Sequence, residues 1–174
     1  NMSVKTELTD LTQVMEKLRS EAFVDKSKMS LFGASQGGVV ASLYAAAYPD
    51  RVHKLMLIFP AFVLFDDAKE TYRELGSPDF DQLPDSLTHH NAALGKIYLI
   101  DALDIDIQAE QTKITAPTLI IHGTDDAVVP YQYAVQASQT IPNAELVTVE
   151  GGEHHIDERF AITAAPAIQK FLKE

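Results

Sequence analysis

Three short stretches carry the side chain types that nucleophilic chemistry needs. LFGASQGG (31–38) holds Ser35 between Gly33 and Gly37, directly after an apolar run. GTDDAVVP (123–130) holds Asp125 and Asp126, and EGGEHHID (150–157) holds His154 and His155. A serine hydroxyl is a weak nucleophile at neutral pH. It needs a base, and the base needs an orienting carboxylate. Gly33-Ala34-Ser35-Gln36-Gly37 fits G-x-S-x-G, in which the serine sits on a sharp turn between a strand and a helix. Such a turn lifts the hydroxyl above the carboxyl end of the sheet. It also points the Gln36 N–H into the same space, beside a helix N-terminus. A side chain at Gly33 or Gly37 is expected to collide with the neighbouring strand or helix. The pentapeptide alone is a weak signal, because short Gly/Ser patterns recur in plain tight turns, and the strand–turn–helix context is what makes it specific.

Asp126, Glu153, His154, His155 and Asp157 are also metal-ligand types. They lack the helical H-x-x-x-H or H-E-x-x-H pair, so neither a metal nor a cofactor is expected. His122 reads as structural, its ring bonded to nearby backbone. His53, His89 and His90 have no supporting context and read as surface residues.

The elements that must position these groups follow from periodicity. Val4, Leu8, Leu11, Met15 and Leu18 form the stripe of an amphipathic helix. Lys28–Ala34 reads as a strand, and the helical spacing from Val39 to Ala47 ends at Pro49. Leu55–Phe59, Pro117–His122 and Glu145–Val149 are apolar runs of the kind buried on both faces of a sheet. Tyr131–Thr140 and Asp157–Lys173 read as helices, and Pro166 implies a kink in the last one or a later start. Strands alternating with helices imply an α/β fold with a parallel sheet and right-handed crossovers. Ligands bind at the carboxyl ends of such strands, where all three chemical stretches lie. The chain order Ser, Asp, His matches the α/β-hydrolase arrangement. The segment Pro60–Ala116 is longer than a crossover needs and helical-looking over Asn91–Leu103. A connection of that length reads as a lid or binding wall, which divides the chain into a core (1–59 and 117–174) and an inserted cap.

Composition bounds the partners. The chain has 174 residues, 46% of them hydrophobic, and a net charge of −11. That charge argues against nucleic acid and anionic membrane surfaces. No apolar run approaches the roughly 18 residues of a membrane span, and no secretory signal is visible at 1–10, so a cytoplasmic location is expected. The chain has no cysteine, which excludes disulfides, zinc–thiolate sites and a cysteine nucleophile.

GASQGG, HGTDDAVVP and EGGEHH resemble the three catalytic loops of the α/β-hydrolase family. GGVVASLYAAAYPDRVHKLMLIFPA, the insert segment DQLPDSLTHHNAALGKIYL and the C-terminal half resemble the bacterial cinnamoyl (feruloyl) esterases. The resemblance spans about Leu31 to Leu172. It implies an α/β-hydrolase-type sheet with flanking helices and a lid. It selects Asp126 through H-G-x-x-D-x-x-V-P and His154 through G-x-x-H, leaving Asp125 a turn residue and His155 a neighbour. It implies Ser35 as nucleophile, Gln36 N–H as an oxyanion donor, and Asp85 and Tyr98 as polar lid residues facing a hydroxycinnamoyl group. Phe62, Leu64, Phe65 and Leu94 are candidates for the acyl pocket. The family also has strands before the first helix of this chain, and with them a second oxyanion donor. Without them Lys28–Ala34 is a sheet edge, expected to pair with a second copy or a separate N-terminal segment, or to be covered by the first helix. The expected activity is hydrolysis of a small-molecule ester. The alternatives are a lipase, thioesterase or peptidase on the same fold, or a non-catalytic fragment that binds a ligand or partner.

Overall fold

The computed structural model describes residues 2–89 and 92–173. Helix α1 (Val4–Ser20) opens with a reciprocal cap. The Ser3 hydroxyl accepts from Thr6 N–H, and the Thr6 hydroxyl accepts from Ser3 N–H. Strand β1 (Leu31–Ala34) leads into helix α2 (Gln36–Ala47), and β2 (Leu55–Ile58) follows. The insert contributes α3 (Leu64–Glu74), an antiparallel hairpin of β3 (Ser86–His89) and β4 (Ala92–Gly95), α4 (Lys96–Leu103) and α5 (Ile107–Gln111). Then come β5 (Thr118–Gly123), α6 (Gln132–Thr140), β6 (Ala144–Val149) and α7 (Glu158–Lys173).

The four long-range strands form one parallel sheet in the order β1-β2-β5-β6. The central pair explains its own sequence. Leu55, Leu57 and Ile120 pack into the cluster that holds Leu43 and Tyr44 of α2 and Ala134 and Ala137 of α6. Met56, Ile58, Leu119 and Ile121 point to the other face, onto Phe160, Ala164 and Phe171 of α7. Alternate side chains of a strand face opposite layers, so a strand covered on both sides must be apolar throughout. Among the described residues, no helix is long and apolar enough to cross a membrane.

Several boundaries differ from the sequence expectation. The first strand begins at Leu31, not Lys28, because Asp25 and Ser27 shape a turn through the Asp25 carboxylate. The run Glu145–Val149 is an outer strand with Glu145 exposed, not one buried on both faces. The helical reading of Asn91–Leu103 fails in its first half. Ala92–Gly95 is a strand paired with Ser86–His89, and the helix begins at Lys96. Alanine and leucine there satisfy both periodicities, and pairing decides. Pro166 delays nothing, because α7 starts at Glu158. It lies on the exposed side of the helix, where water can take the carbonyl it leaves unbonded. His90 and Asn91 lie outside the described residues.

Candidate active site

Ser35 sits where β1 turns into α2, with φ 52° and ψ −126°. Few L-residues adopt this region, and strain of this kind clusters at functional sites. The turn is pinned on both sides. Ser35 N–H donates to Ile58 O at 3.0 Å, and Ser35 O accepts from Gly38 N–H and Ala61 N–H, each at 3.0 Å. A Cβ on Gly33 would lie 2.4 Å from the Gly37 carbonyl oxygen, so the elbow closes only over glycine. Gly37 differs from the expectation, since a Cβ there would meet nothing within 4 Å. The second tight approach is at Gly38, whose Cβ would come within 3.0 Å of Pro60. Gly37 instead lines an open groove beside the free edge of β1.

The candidate acid and base, Asp126 and His154, come from the loops after β5 and β6. These loops are drawn together at Gly123 and Gly152, where a Cβ on Gly123 would lie 2.1 Å from Gly152 O. Asp126 has a fully buried side chain. Its Oδ1 accepts from Val128 N–H at 2.9 Å and Val129 N–H at 2.8 Å. Its Oδ2 lies 2.7 Å from His154 Nδ1 and 3.2 Å from His122 Nε2. His154 Nε2 then lies 3.0 Å from Ser35 Oγ. The geometry therefore brings Ser35, His154 and Asp126 into one series. Asp125 is engaged elsewhere, accepting from the Thr124 hydroxyl. His155 is exposed, 3.8 Å from both Glu153 and Asp157. Among the described residues, no three His, Cys, Asp or Glu side chains converge as a metal-ligand set.

Phe59, which sequence reasoning passed over, and His122, expected to be structural with its ring bonded to backbone, shape this series. Phe59 ends β2 at φ 35° and lays its ring against the His154 imidazole, centroids 4.4 Å apart. The available signal was an aromatic at a strand end immediately before Pro60. His122 is wholly buried, and its Nε2–H donates to the Val129 carbonyl at 2.9 Å. Burial pushes its pKa down, outweighing the opposing effects of the Val129 and Asp126 contacts. The same Nε2 lies 3.2 Å from Asp126 Oδ2, the carboxylate oxygen that also faces His154.

Gln36 occupies the first position of α2, where its N–H is one of the orphan donors of a helix start. Its side chain is engaged twice. Tyr98 Oη donates to Oε1 at 2.9 Å, and Nε2 donates to Glu7 Oε2 at 2.7 Å. Burial, with the Glu7 and Asp67 carboxylates nearby, raises the Tyr98 pKa and keeps the hydroxyl a donor. Tyr98 lines a small insert cavity, about 20 Å³, with Leu64, Asp67, Ala68, Thr71, Leu87, Leu94 and Leu99. Phe62 and Phe65 are buried in the core below. Asp85 is not among the residues lining that cavity. Its side chain is 93% exposed and pairs with Lys96 at 2.7 Å.

The sequence model of the prolyl oligopeptidase family matches residues 3–174. Est1E from Butyrivibrio proteoclasticus, in a structure with ferulic acid bound, superposes on 99% of this chain with a TM-score of 0.86. It is 29% identical, and the match covers 69% of that chain. Serine hydrolase BPHL of Mus musculus is 26% identical over 162 residues, which are 84% of this chain and 55% of the relative. Non-heme chloroperoxidase CPO-A1 of Kitasatospora aureofaciens is 42% identical over 64 residues, 36% of this chain and 23% of the relative. The match thus spans less than two thirds of the length of these curated relatives. Their names cover more than one chemistry, so the shared architecture fixes a hydrolase fold and not a substrate.

Proposed function

Because the chain belongs to the prolyl oligopeptidase family, with an α/β-hydrolase fold that resembles the feruloyl esterases, we propose that it is a serine carboxylester hydrolase. The observation that carries this reading is the unbroken series from Ser35 Oγ to His154 Nε2 at 3.0 Å and from His154 Nδ1 to Asp126 Oδ2 at 2.7 Å. In this mechanism Ser35 Oγ attacks the ester carbonyl carbon, and His154 Nε2 takes its proton. The carbonyl oxygen becomes an oxyanion, and Gln36 N–H donates to it. Collapse expels the alkoxide, which receives the proton from His154, and leaves an acyl-Ser35 ester. A water, deprotonated by His154, attacks that ester and releases the acid. Asp126 keeps the Nδ1 proton in place and stabilises the imidazolium.

The narrower reading is an ester of a hydroxycinnamate or a similar small aryl or alkyl acid. The likeness to Est1E, with ferulic acid bound in one of its structures, supports it. A fluorophosphonate probe is expected to label Ser35 and not to label Ser35→Ala. An aryl hydroxycinnamate ester is expected to outperform a long-chain fatty ester. Labelling that survives Ser35→Ala would sink the reading. The name of the matching family favours one rival, cleavage of peptide bonds. A peptidyl anilide hydrolysed faster than any ester of matched acyl group would establish it instead.

A further inference from the structure

The Gln36 carboxamide is held at both ends, and its two partners come from different parts of the chain. Tyr98 reaches Oε1 from α4 of the insert, and Glu7 accepts from Nε2 out of α1. The two helices are also fastened to each other. Ser3 Oγ donates to Asp101 Oδ2 at 2.5 Å, and Lys5 bonds Asp104 and lies 3.8 Å from Asp101. Ser3 and Glu7 are four residues apart on α1, while Tyr98 and Asp101 are three apart on α4, so each pair shares one helix face. The rungs run in opposite chain order, with Ser3–Asp101 as one and Glu7–Gln36–Tyr98 as the next. The amide assignment follows from its partners: an oxygen facing the Glu7 carboxylate would set acceptor against acceptor.

A glutamine half-exposed at a helix start has no need of two tethers, and fixing its rotamer costs entropy. The tethers act on the residue whose backbone N–H faces the oxyanion, and donors there work by being aimed before charge develops. Resting on the serine-hydrolase reading, we infer that Tyr98 and Glu7 are positioning residues that clamp Gln36 and so hold its N–H aimed at the oxyanion. Tyr98 also joins the clamp to the insert. It lines a small cavity of the insert with Leu64, Asp67 and Leu94, while its hydroxyl holds the Gln36 carboxamide.

Tyr98→Phe keeps the ring and removes the hydroxyl. With 4-nitrophenyl acetate, kcat is expected to fall about tenfold, inside the ~10²–10³ that outright loss of an oxyanion donor costs. KM should stay within about twofold, because the interaction is made in the transition state. The fluorophosphonate labelling rate should fall with kcat. Glu7→Leu should behave like Tyr98→Phe, and Glu7→Gln, which keeps an acceptor oxygen, should recover most of the rate. Wild-type kcat in both Tyr98→Phe and Glu7→Leu overturns the clamp. So does a rise in KM at constant kcat, which would make Tyr98 a substrate contact only. A second readout needs no turnover. In the ¹⁵N-labelled chain the Gln36 Nε2 protons are expected to exchange slowly with water, and to lose that protection in Tyr98→Phe and Glu7→Leu at an unchanged thermal midpoint. Fast exchange in the wild type overturns the clamp even in an active esterase. Protected protons in a chain that labels nowhere keep the clamp and overturn the hydrolase reading alone.

Discussion

The two halves of the candidate site are built to different degrees of enclosure. On the β5–β6 side, Asp126 meets four N–H groups or ring nitrogens, His122 is wholly buried, and Phe59 closes over His154. On the β1 side, Gln36 lines a groove of about 470 Å³ with Leu11, Leu31, Phe32 and Gly37. Phe32 is 56% exposed at its centre. The difference teaches where each group gets its geometry. The acid and base are fixed by a closed shell of neighbours. Ser35 is held by a strained turn and its backbone bonds to Ile58, Gly38 and Ala61, and the Gln36 side chain by two helices reaching over from outside the sheet.

The largest effect that can break this comparison lies in the closed half. Asp126→Asn keeps the shape but leaves the His154 tautomer unfixed, and kcat is expected to fall roughly 10³–10⁴-fold. Asp125→Asn removes only an exposed carboxylate and should stay within about twofold. His154→Ala should abolish turnover, while His155→Ala leaves most of it. Steady-state rates on one activated ester check all four variants. If Asp125→Asn were the crippling one, the closed shell around Asp126 would be structural and the catalytic series misassigned.

How much of this was legible in the sequence depends on whether a local pattern or a long-range contact sets each feature. The elbow and the paired β2 and β5 cores were legible, because strand burial writes an apolar run and the strained turn demands a small residue at Gly33. The choice of Asp126 over Asp125 was not legible from spacing alone. It depends on which carboxylate turns inward to the Val128 and Val129 amides, and the family pattern was needed to select it. The bond from Gln36 to Tyr98 links positions 62 residues apart, and no periodicity records it. Gly37 fits the motif at a place where the structure leaves open space. A motif position can therefore be occupied as expected while its presumed physical reason is absent from the neighbourhood described.

A smaller effect sharpens the comparison from the stability side. Burial lowers the His122 pKa below its ordinary 6.5 in the fold, while the unfolded chain keeps the ordinary value. Between those two values the unfolded state binds a proton that the folded state does not, so stability rises with pH. The contribution is complete above about pH 6.5 and is lost as pH falls from there toward the folded value. The groups facing the ring are Asp126, His154 and the Val129 carbonyl, and none offers the charged form enough to offset burial. Urea unfolding at a series of pH values should therefore show a slope below pH 6.5 that flattens in His122→Gln. An unchanged slope in the variant would assign the pH dependence to other groups and weaken the picture of a closed, dry acid–base half.

The smallest effect is expected at the open half. Leu31 and Ser35 send their N–H groups to Lys54 and Ile58 of the β2 segment. By the alternation of a strand, the N–H groups of Phe32 and Ala34 face the other way, toward the groove. Helix α1 packs against α2 and α4, and Phe32 remains exposed. Among the described residues no strand pairs with this side of β1, an apolar strand edge is a template for another strand, and we propose that a second copy pairs there. If copies pair through β1, light scattering should show mass rising with concentration, and the Phe32 and Ala34 amides should become protected from exchange over the same range. Phe32→Lys should remove both changes while leaving the fluorophosphonate labelling rate within about twofold, because charge at an edge opposes pairing without touching the elbow. A monomer at all concentrations whose Phe32 and Ala34 amides exchange freely would refute pairing between copies and leave the edge to a different chain. A monomer with those amides protected would place α1 or its leading residues across the edge, and the contrast between a closed and an open half would fail.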